Sequence, residues 1–246
     1  MNYRKIKEAL AKIRKLPIHP QWLISRHEHW HSIRIGKQVA GLVLDIGCAS
    51  QSIKHYIQAK HDYIGLDYYQ TAVHWYGTQP HVYGDAQILP IADNSIDSVL
   101  LLDVLEHLPR PEDCFSEIAR VLKPTGVLVL QVPFIYPIHD APLDFQRWTQ
   151  YGLQQLAGKH GFIIRQEMKI GKPLETSGLL INIAITKTVL NWIQQKNPVI
   201  ILGILAPLAI LGVNLLCWLL SLISPKDDMM PYSYRLVLEK NKNVFV

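Results

Sequence analysis

The stretch from Gly41 to Asp67 constrains the fold of this chain more than any other part of its sequence. It contains a short apolar strand, Leu42-Val43-Leu44, then a turn of small residues, a helix, and a second apolar strand that ends on Asp67. An apolar run that stops at glycine and other small residues is typical of a buried parallel strand leading into a tight turn. An acid about twenty residues past such a turn is placed to accept hydrogen bonds from ribose hydroxyls. The spacing therefore predicts a βαβ unit that binds a nucleoside.

The residues of the first turn separate two possible nucleoside ligands. A dinucleotide site needs the three glycines of G-x-G-x-x-G, because the backbone must approach a pyrophosphate closely. This turn reads Asp45-Ile46-Gly47-Cys48-Ala49-Ser50 and supplies only Gly47. The carboxylate of Asp45 would repel a pyrophosphate, whereas it suits a ligand that carries an ammonium group. The turn therefore favours S-adenosylmethionine (SAM) over NAD and leaves a nicotinamide oxidoreductase as the weaker alternative.

Further motifs follow this unit in a regular order. They are Tyr63-Ile64-Gly65-Leu66-Asp67, Gly84-Asp85-Ala86, Leu89-Pro90, Ile96-Asp97, Asp103-Val104-Leu105-Glu106-His107-Leu108 and Leu122-Lys123-Pro124-Thr125-Gly126. In order and spacing, residues 42–162 resemble the class I SAM-dependent methyltransferases of the "methyltransferase domain 11" kind. The departure is Ala49, where such enzymes usually carry a second glycine. Since alanine adds only a methyl group, we expect tighter packing against the cofactor rather than loss of binding.

The resemblance implies an α/β fold with a Rossmann-like, doubly wound, seven-stranded sheet whose last strand is antiparallel. The regular alternation of strand and helix patterns after residue 42 also indicates a parallel sheet covered on both faces. We expect four segments along the chain. They are a basic N-terminal helical arm (1–40), the SAM-binding core (41–172), an apolar helical insertion between strands 6 and 7 (173–231) and the final strand of the core (232–246).

The resemblance also implies which residues hold the cofactor, SAM. Asp45 and Gly47 are expected at its methionine end, next to the variant position Ala49. Asp67 is expected at the ribose. The turn after the third strand is expected at the adenine, through Asp85 and Ala86, although Asp85 could instead be a simple turn acid. Asp103 follows the fourth strand, and the carboxyl ends of central strands are where doubly wound sheets hold their ligands.

Two histidines are the candidate catalytic bases. A sulfonium is already an activated electrophile, so the enzyme mainly aligns the acceptor, and a base helps only when the acceptor must lose a proton. His107 is the first candidate and His139 the second, because a neutral imidazole is matched to pH 7. Each could equally be a structural histidine.

The loop of residues 133–149 is expected to contact the acceptor, since loops beyond the strand ends carry specificity. Its candidate substrate residues are Asp144, Arg147 and Trp148. Asp144 and Arg147 could equally form an ion pair that ties the loop down. The sequence pattern of this loop is similar to that of methyltransferases associated with surface polysaccharide synthesis.

A metal-binding pattern occurs near the N-terminus. The sequence His27-Glu28-His29-Trp30-His31 matches the H-E-x-x-H pattern of zinc hydrolases. No third ligand is identifiable, so the segment is better interpreted as lying over the cofactor or substrate opening. The three cysteines are far apart, show no metal-type spacing and are expected to be reduced thiols. We therefore expect no metal ion.

An apolar stretch raises the question of a membrane. Residues 199–224 carry no charge and exceed the ~20 residues that cross a bilayer, and residues 178–192 form a second, shorter apolar stretch. Because strands 6 and 7 of this fold pair in one sheet, a single crossing between them is excluded. The insertion must return as a two-helix hairpin or lie in the interface. A buried helix of a soluble protein is the weaker alternative.

The charge distribution also indicates contact with a membrane surface. Residues 1–40 hold nine Lys or Arg against two Glu in a chain of net charge +5. A basic amphipathic helix over residues 3–16 suits an anionic membrane face, and the aromatic platforms of a single-strand nucleic-acid binder are missing from this arm. Lysines around the insertion place the catalytic domain on the cytoplasmic side. We expect a membrane-associated methyltransferase that binds no nucleic acid and acts on a small or lipid-linked, quinone-like or glycan-type acceptor. The alternative is a non-catalytic membrane adaptor that retains the fold.

Overall fold

The computed structural model describes residues 12–225 and 227–242 of the chain. Most of the expected basic helix over residues 3–16 lies outside this part, as does Lys226, one of the lysines expected to mark the cytoplasmic side. The described residues form two compact units. The smaller comprises residues 12–29 and 171–232, and the larger comprises residues 30–170 and 233–242. The described part of the N-terminal arm is thus divided between the two units near residue 29.

A seven-stranded sheet forms the centre of the larger unit. Its strands are β1 (Leu42–Ile46), β2 (Asp62–Asp67), β3 (Val82–Tyr83), β4 (Ile96–Leu102), β5 (Leu122–Pro133), β6 (Phe162–Ile170) and β7 (Ser233–Lys240). Their order is β3-β2-β1-β4-β5-β7-β6. Strands β1 to β5 pair in parallel, and β7 runs antiparallel to both of its neighbours. The predicted doubly wound fold class, with an antiparallel last strand, is confirmed.

Helices connect the strands. The α-helices are α1 (Trp22–Ser25), α2 (Glu28–Gly36), α3 (Pro111–Val121), α4 (Gln150–Lys159), α5 (Pro173–Gln194) and α6 (Ala206–Ile223). Among the described residues, 3-10 helices lie at Ser52–Tyr56, Leu105–His107 and Pro198–Leu205, and a π-helix lies at Thr71–Tyr76. Pro111 and the apolar spacing of Phe115 and Ile118 predict a helix over residues 111–121, and helix α3 has these bounds. Its proline lies in the first turn, where a missing N–H costs nothing. Helix α4 begins after Thr149, whose hydroxyl accepts a hydrogen bond from the Gly152 amide.

Both faces of the sheet are buried. Phe115 and Ile118 of α3 pack with Leu44 in one apolar cluster. On the opposite face, Ile35 of α2 packs with Val43 in a second cluster. Because successive side chains of a strand point to opposite faces, the apolar residues of β1 contribute to both clusters. This arrangement leaves the carboxyl edge of the parallel strands as the place where polar side chains gather.

Strand β5 differs from the sequence prediction. Pro124-Thr125-Gly126 is a turn-forming sequence and predicts a turn before a strand at Val127, but the strand already begins at Leu122. Leu122 pairs with Ile96, and the register between β4 and β5 shifts just after this pair. Thr125 has a φ of +65° within the irregular stretch. A bulge thus absorbs the turn-forming residues without ending the strand.

Candidate functional site

The turn after β1 is shaped by Gly47. Its φ is +72°, and a Cβ atom at this position would lie 2.3 Å from Cγ2 of Val104. The backbone N–H groups of Gly47 and Cys48 both donate to the carbonyl of Leu66, at 2.8 and 3.2 Å. The end of β1 is therefore fixed against the end of β2. Only glycine meets both the left-handed backbone and the close approach of Val104.

Asp67 and Ala49 meet directly across these two strand ends. The Ala49 amide donates to Oδ2 of Asp67 at 2.8 Å, and Ala49 itself has a φ of +42°. The other carboxylate oxygen, Oδ1, accepts from the Tyr68 amide and the Thr71 hydroxyl, each at 2.7 Å. A carboxylate oxygen has two acceptor positions, so Oδ2 keeps one for a ligand hydroxyl. Asp67 is thus held rigidly with acceptor capacity remaining.

Asp45 lies one strand away and is only 3% exposed. The Tyr63 hydroxyl donates to its Oδ2 at 2.6 Å. Burial raises the pKa of Asp45 to about 7, while the Tyr63 hydrogen bond opposes this shift and the Asp67 carboxylate adds to it. A ligand ammonium group would favour the ionised form of this carboxyl. The arrangement suits the amino end of an amino-acid-type ligand.

Asp85 follows β3 on the same edge of the sheet. The Gly84 amide donates to the Asp67 carbonyl at 3.0 Å, which places the Asp85 turn beside the end of β2. Oδ1 of Asp85 accepts from the backbone and the side-chain amide of Gln87, at 2.8 and 3.1 Å. These contacts match the interpretation of Asp85 as an acid that stabilises its own turn, which was the alternative to a role in adenine binding. Ala86 is buried, and nearby Ile88 is 70% exposed.

Asp103 directly follows the central strand β4 and has a φ of +55°. Its Oδ2 accepts from the side-chain amide of Gln131 at 2.8 Å. The Gln131 side-chain oxygen in turn accepts from Arg235 of β7, at 2.5 and 3.0 Å. Asp103 is therefore oriented by a chain of hydrogen bonds that crosses three neighbouring strands.

Both candidate bases lie against a buried carboxylate that the sequence reasoning gave no role. Glu106 is 0% exposed, and neither of its carboxylate oxygens has a hydrogen-bond partner among the described residues. Nε2 of His107 and Nε2 of His139 each lie 3.7 Å from Oε1 of Glu106. The two imidazole rings meet edge to face, 4.9 Å apart. The interaction with Glu106 raises the pKa of His139, and burial partly opposes this shift.

The loop of residues 137–147 is tied to the turn that carries Glu106. The Phe145 amide donates to the Glu106 carbonyl at 3.0 Å. The Gln146 side-chain amide donates to the Leu108 carbonyl at 2.9 Å. Nδ1 of His107 lies 2.8 Å from the Leu143 carbonyl oxygen. Backbone contacts thus bring His107 and His139, distant in sequence, into one cluster.

Within this loop Asp144 and Arg147 form an ion pair. Two guanidinium nitrogens of Arg147 donate to the Asp144 carboxylate, at 2.5 and 2.7 Å, and Arg147 also donates to the carbonyls of Tyr136 and Pro137. The guanidinium lowers the pKa of Asp144 to about 2. Of the two interpretations of these residues, the contacts match the one that ties the loop down. Trp148, the third candidate, packs against the apolar core and buries its ring nitrogen.

The part of the chain that carries these strand ends matches a known protein family. Residues 44–130 match the family described as "Methyltransferase domain". Over these residues the chain resembles SAM-dependent methyltransferases, and the strand order described above is the class I fold of such enzymes. This match confirms the family resemblance, and it confirms SAM as the cofactor that the resemblance implies.

Curated relatives of the methyltransferase domain include sterol 24-C-methyltransferases. The Yarrowia lipolytica enzyme is 35% identical over 145 residues, which cover 53% of this chain and 38% of that protein. The Schizosaccharomyces pombe enzyme is 29% identical over 145 residues, with the same coverage of 53% and 38%. The chain thus matches less than half the length of these relatives.

A solved structure shares the fold. The SAM-dependent methyltransferase from Archaeoglobus fulgidus superposes with a TM-score of 0.55 and 15% identity, over 97% of this chain and 100% of that chain. At this identity the likeness concerns the fold alone.

The methyltransferase domain gathers most of the predicted cofactor residues along one edge. Asp45, Gly47, Ala49 and Asp67 lie on two adjacent strand ends joined by the hydrogen bonds described above. These residues suit SAM, because the buried carboxyl of Asp45 can pair with an ammonium group and Asp67 retains an acceptor position for a ribose hydroxyl. Sequence reasoning missed Tyr63 and Glu106. The only sequence signal for Glu106 was a carboxylate directly beside His107 at the end of a central strand.

Proposed function

We propose that this protein is a methyltransferase that transfers the methyl group of SAM to a lipid-type acceptor at the cytoplasmic face of a membrane. The observation that carries the proposal is the joined turn of β1 and β2, where Gly47, Ala49 and Asp67 are held in one hydrogen-bonded unit. A rigid carboxylate with a free acceptor position is what a ribose diol requires.

Each residue of this edge has a defined task in the proposal. SAM supplies a methyl group on a sulfonium, which is already activated. Asp45 binds the ammonium group of its methionine end, and Asp67 accepts from the ribose hydroxyls. Ile88, exposed beside the Asp85 turn, offers an apolar surface to the adenine ring. These residues bind and orient, which is the main requirement for an in-line transfer.

The smaller unit supports the membrane part of the proposal, because many of its apolar side chains are exposed while polar side chains are buried inside it. Residues Pro198–Ile223 form one helical stretch of 26 residues, and an 18-residue window within it has a mean hydropathy of 2.6 with 11% of its residues buried. Length and composition alone would also fit the core helix of a soluble protein. A soluble core helix, however, would be mostly buried, whereas this one exposes its apolar side chains. The exposed ones include Ile201, Ile204, Leu208, Leu216, Leu219 and Ile223.

The polar side chains of the same unit lie inside. Asn182 of α5 and Asn214 of α6 are fully buried, and the Asn182 amide donates to the Asn214 side-chain oxygen at 2.8 Å. The Asn214 amide donates to the backbone carbonyls of Pro17 and His19, at 2.6 and 3.0 Å. Near the other end of the hairpin, Glu175 pairs with Arg26. Buried polar groups that pair with one another beneath an apolar exterior are typical of helices in lipid. The Asn182 side-chain oxygen is the exception here, since it has no hydrogen-bond partner among the described residues.

Chain connectivity limits how such a unit enters a bilayer. The insertion leaves the sheet after β6 and returns at β7, and these two strands pair directly. Both ends of the insertion are therefore on one side of the membrane. Helix α5 has 22 residues, about 33 Å, which is close to the ~30 Å hydrocarbon thickness. A two-helix hairpin fits this length, and Lys172 at its base favours the cytoplasmic side.

The acceptor class rests on two supports. The curated relatives are named for sterols, which are membrane lipids, and the apolar hairpin would bring the catalytic domain to the bilayer. We therefore infer a lipid-type acceptor, with sterol, quinone-like and lipid-linked glycan acceptors as the candidates.

Binding of SAM tests the enzyme proposal against the alternative of a non-catalytic adaptor. Calorimetry on the detergent-solubilised chain should detect SAM binding in the wild type, and Asp67→Ala and Asp67→Asn should weaken it by about tenfold or more. Asp62→Ala is the matched control, since Asp62 is an exposed acid at the other end of the same strand. Absence of binding to folded wild-type protein would favour the adaptor.

A further inference from the structure

Three side chains, those of Glu106, His107 and His139, bring possible metal-ligand atoms close to one another. Their ligand atoms are one carboxylate oxygen of Glu106 and one ring nitrogen each of His107 and His139, all within 4.8 Å of one another. The Glu106 carboxylate is fully buried and accepts no hydrogen bond from the described residues. A buried carboxylate without a donor is costly, so the contents of this cluster need an explanation.

Hydrogen bonds on the far side of each imidazole fix which nitrogen is free. Nδ1 of His107 lies 2.8 Å from the Leu143 carbonyl, which only accepts, so this nitrogen carries the hydrogen. Nδ1 of His139 faces a carboxylate oxygen of Asp144 at 3.2 Å and the Pro137 carbonyl at 3.3 Å. These acceptors lie closer than the Arg147 nitrogen at 3.4 Å, so His139 also carries its hydrogen on Nδ1. When the two imidazoles are neutral, both Nε2 atoms present lone pairs towards Glu106.

This arrangement of two oriented imidazoles beside a carboxylate is typical of the ligands in metal centres. Metal-binding histidines donate their other ring N–H to a carboxylate or a backbone carbonyl, which orients the ring. His139 does so to Asp144, and His107 does so to Leu143. Ligand atoms about 2.1 Å from a tetrahedral cation lie roughly 3.4 Å apart. The two 3.7 Å distances from Nε2 to Oε1 are close to that spacing.

We propose that Glu106, His107 and His139 bind a divalent first-row transition-metal cation, in the class of Zn²⁺, Mn²⁺, Fe²⁺ or Co²⁺. Two imidazoles with one carboxylate favour these cations over Mg²⁺ and Ca²⁺, which prefer all-oxygen ligands. The proposal departs from the expectation, drawn from the sequence, that the chain binds no metal ion. It replaces the role of both histidines as bases with a role as ligands.

A cation at this place narrows the acceptor, and this step rests on the proposed function. Three protein ligands leave at least one coordination position open, as in catalytic sites. A hydroxyl oxygen bound there would ionise near neutral pH, with its proton passing to water. The acceptor oxygen then forms a bond to the methyl carbon, and the carbon–sulfur bond breaks with its electron pair retained on sulfur. The acceptor class is therefore a hydroxyl compound, such as a quinol or a glycan hydroxyl, rather than an alkene carbon.

Metal binding to the full chain tests the proposal without any turnover. The detergent-solubilised protein is stripped with a chelator, exposed separately to Zn²⁺, Mn²⁺, Co²⁺ or Mg²⁺, and passed through a desalting column before elemental analysis. We expect about one equivalent of a transition metal and none of Mg²⁺. The variants His107→Asn, His139→Asn and Glu106→Gln should each lose the ion. His55→Asn, an exposed histidine outside the cluster, should keep it.

Spectroscopy keeps the test decisive if the variants do not fold. Pulsed electron paramagnetic resonance on Mn²⁺ bound to the wild type should detect two imidazole nitrogens, and an ion without nitrogen coupling would overturn the proposal. Retention of the ion by all three folded variants would overturn it equally, because the metal would then lie elsewhere, as would absence of binding. Parallel SAM calorimetry separates the two claims: SAM binding without metal binding refutes the metal site and leaves the methyltransferase proposal standing.

Discussion

The Tyr63 hydroxyl donates a 2.6 Å hydrogen bond to Oδ2 of Asp45, and so joins the first two strands of the sheet at their polar edge. Asp45 is otherwise enclosed, and burial raises its pKa to about 7. A carboxyl in this condition is partly protonated at neutral pH. It is therefore poised to lose a proton when a cationic group arrives.

SAM binding should release a proton from Asp45. An ammonium group beside the carboxyl lowers its pKa, so the bound state holds fewer protons than the free state. At pH 7 the release should be about half a proton, approaching one near pH 5 and vanishing near pH 9. Calorimetry in buffers of different ionisation enthalpy measures it directly. Asp45→Asn should abolish the release and weaken binding by about 10- to 100-fold, whereas buffer-independent heats with the wild type would contradict the assignment.

Tyr63→Phe should shift this release to higher pH. The Tyr63 hydrogen bond favours the ionised carboxylate, so its removal raises the pKa of Asp45 further. A raised folded-state pKa also means that stability falls as pH rises from the unfolded value, ~3.9, through the folded value. The variant should extend that fall to higher pH, which thermal unfolding across pH 5 to 9 would record. An unchanged release profile would show that Tyr63 does not control Asp45.

Gly47→Ala should destabilise the domain more than Gly77→Ala. Both glycines have positive φ, +72° and +64°, but a Cβ at Gly47 meets Val104 at 2.3 Å while one at Gly77 meets nothing within 4 Å. The Gly77 variant therefore isolates the backbone strain, on the order of 1 kcal/mol, and overpacking adds ~1–3 kcal/mol at Gly47. Denaturant unfolding gives both values. Equal losses would mean that Val104 moves aside freely.

Arg147→Ala should loosen the loop of residues 137–147 without touching the cofactor edge. It removes the Arg147 hydrogen bonds from the largely buried Asp144 carboxylate, a loss that costs up to ~3–5 kcal/mol for a fully buried pair. The cost is smaller here because Arg147 is partly exposed and the His139 amide still donates to Asp144. Proteolysis of the loop should accelerate while SAM affinity is unchanged. The control is Arg165→Ala, which breaks the exposed pair with Glu239. Since the pKa of Asp144 is lowered to about 2, the stabilisation is present above pH ~4 and is lost as pH falls towards 2.

Acidic substitutions on the exposed apolar face should release the protein from membranes. Ile204 is 81% exposed and Leu208 68%, so Ile204→Asp with Leu208→Asp changes the exterior without disturbing packing. Flotation with anionic liposomes should show loss of binding, with SAM affinity retained. Tyr151→Asp, an equally exposed position on α4, is the control. Flotation of the double variant at the wild-type level would argue that this face does not enter lipid.

Much of the fold was predictable because its determinants are local. Continuous apolar runs ending on small residues located β1 and β2, and Pro111 with the apolar spacing of Phe115 and Ile118 gave the bounds of α3. The start of β5 was missed because pairing of Leu122 with Ile96 outweighs the turn preference of residues 124–126. Local propensity predicts a turn there, and tertiary pairing overrides it.

The cofactor edge was predictable to a similar degree, but the histidine cluster was not. Asp45, Gly47 and Asp67 occupy fixed places relative to strand ends, so their grouping follows from the topology. Glu106 and His139 meet only because the loop after β5 folds back onto the turn after β4. No periodicity encodes such a contact. The hydrogen bond from Tyr63 to Asp45 depends on cross-strand register in the same way.

Transfer of label from SAM to lipid tests the central claim most directly. The full chain, reconstituted in nanodiscs and incubated with methyl-labelled SAM and a total lipid extract, should place label in the organic phase, and Asp67→Ala should reduce the rate by about tenfold or more while Asp62→Ala does not. Label that never leaves SAM, with wild-type protein shown to bind it, would contradict the account.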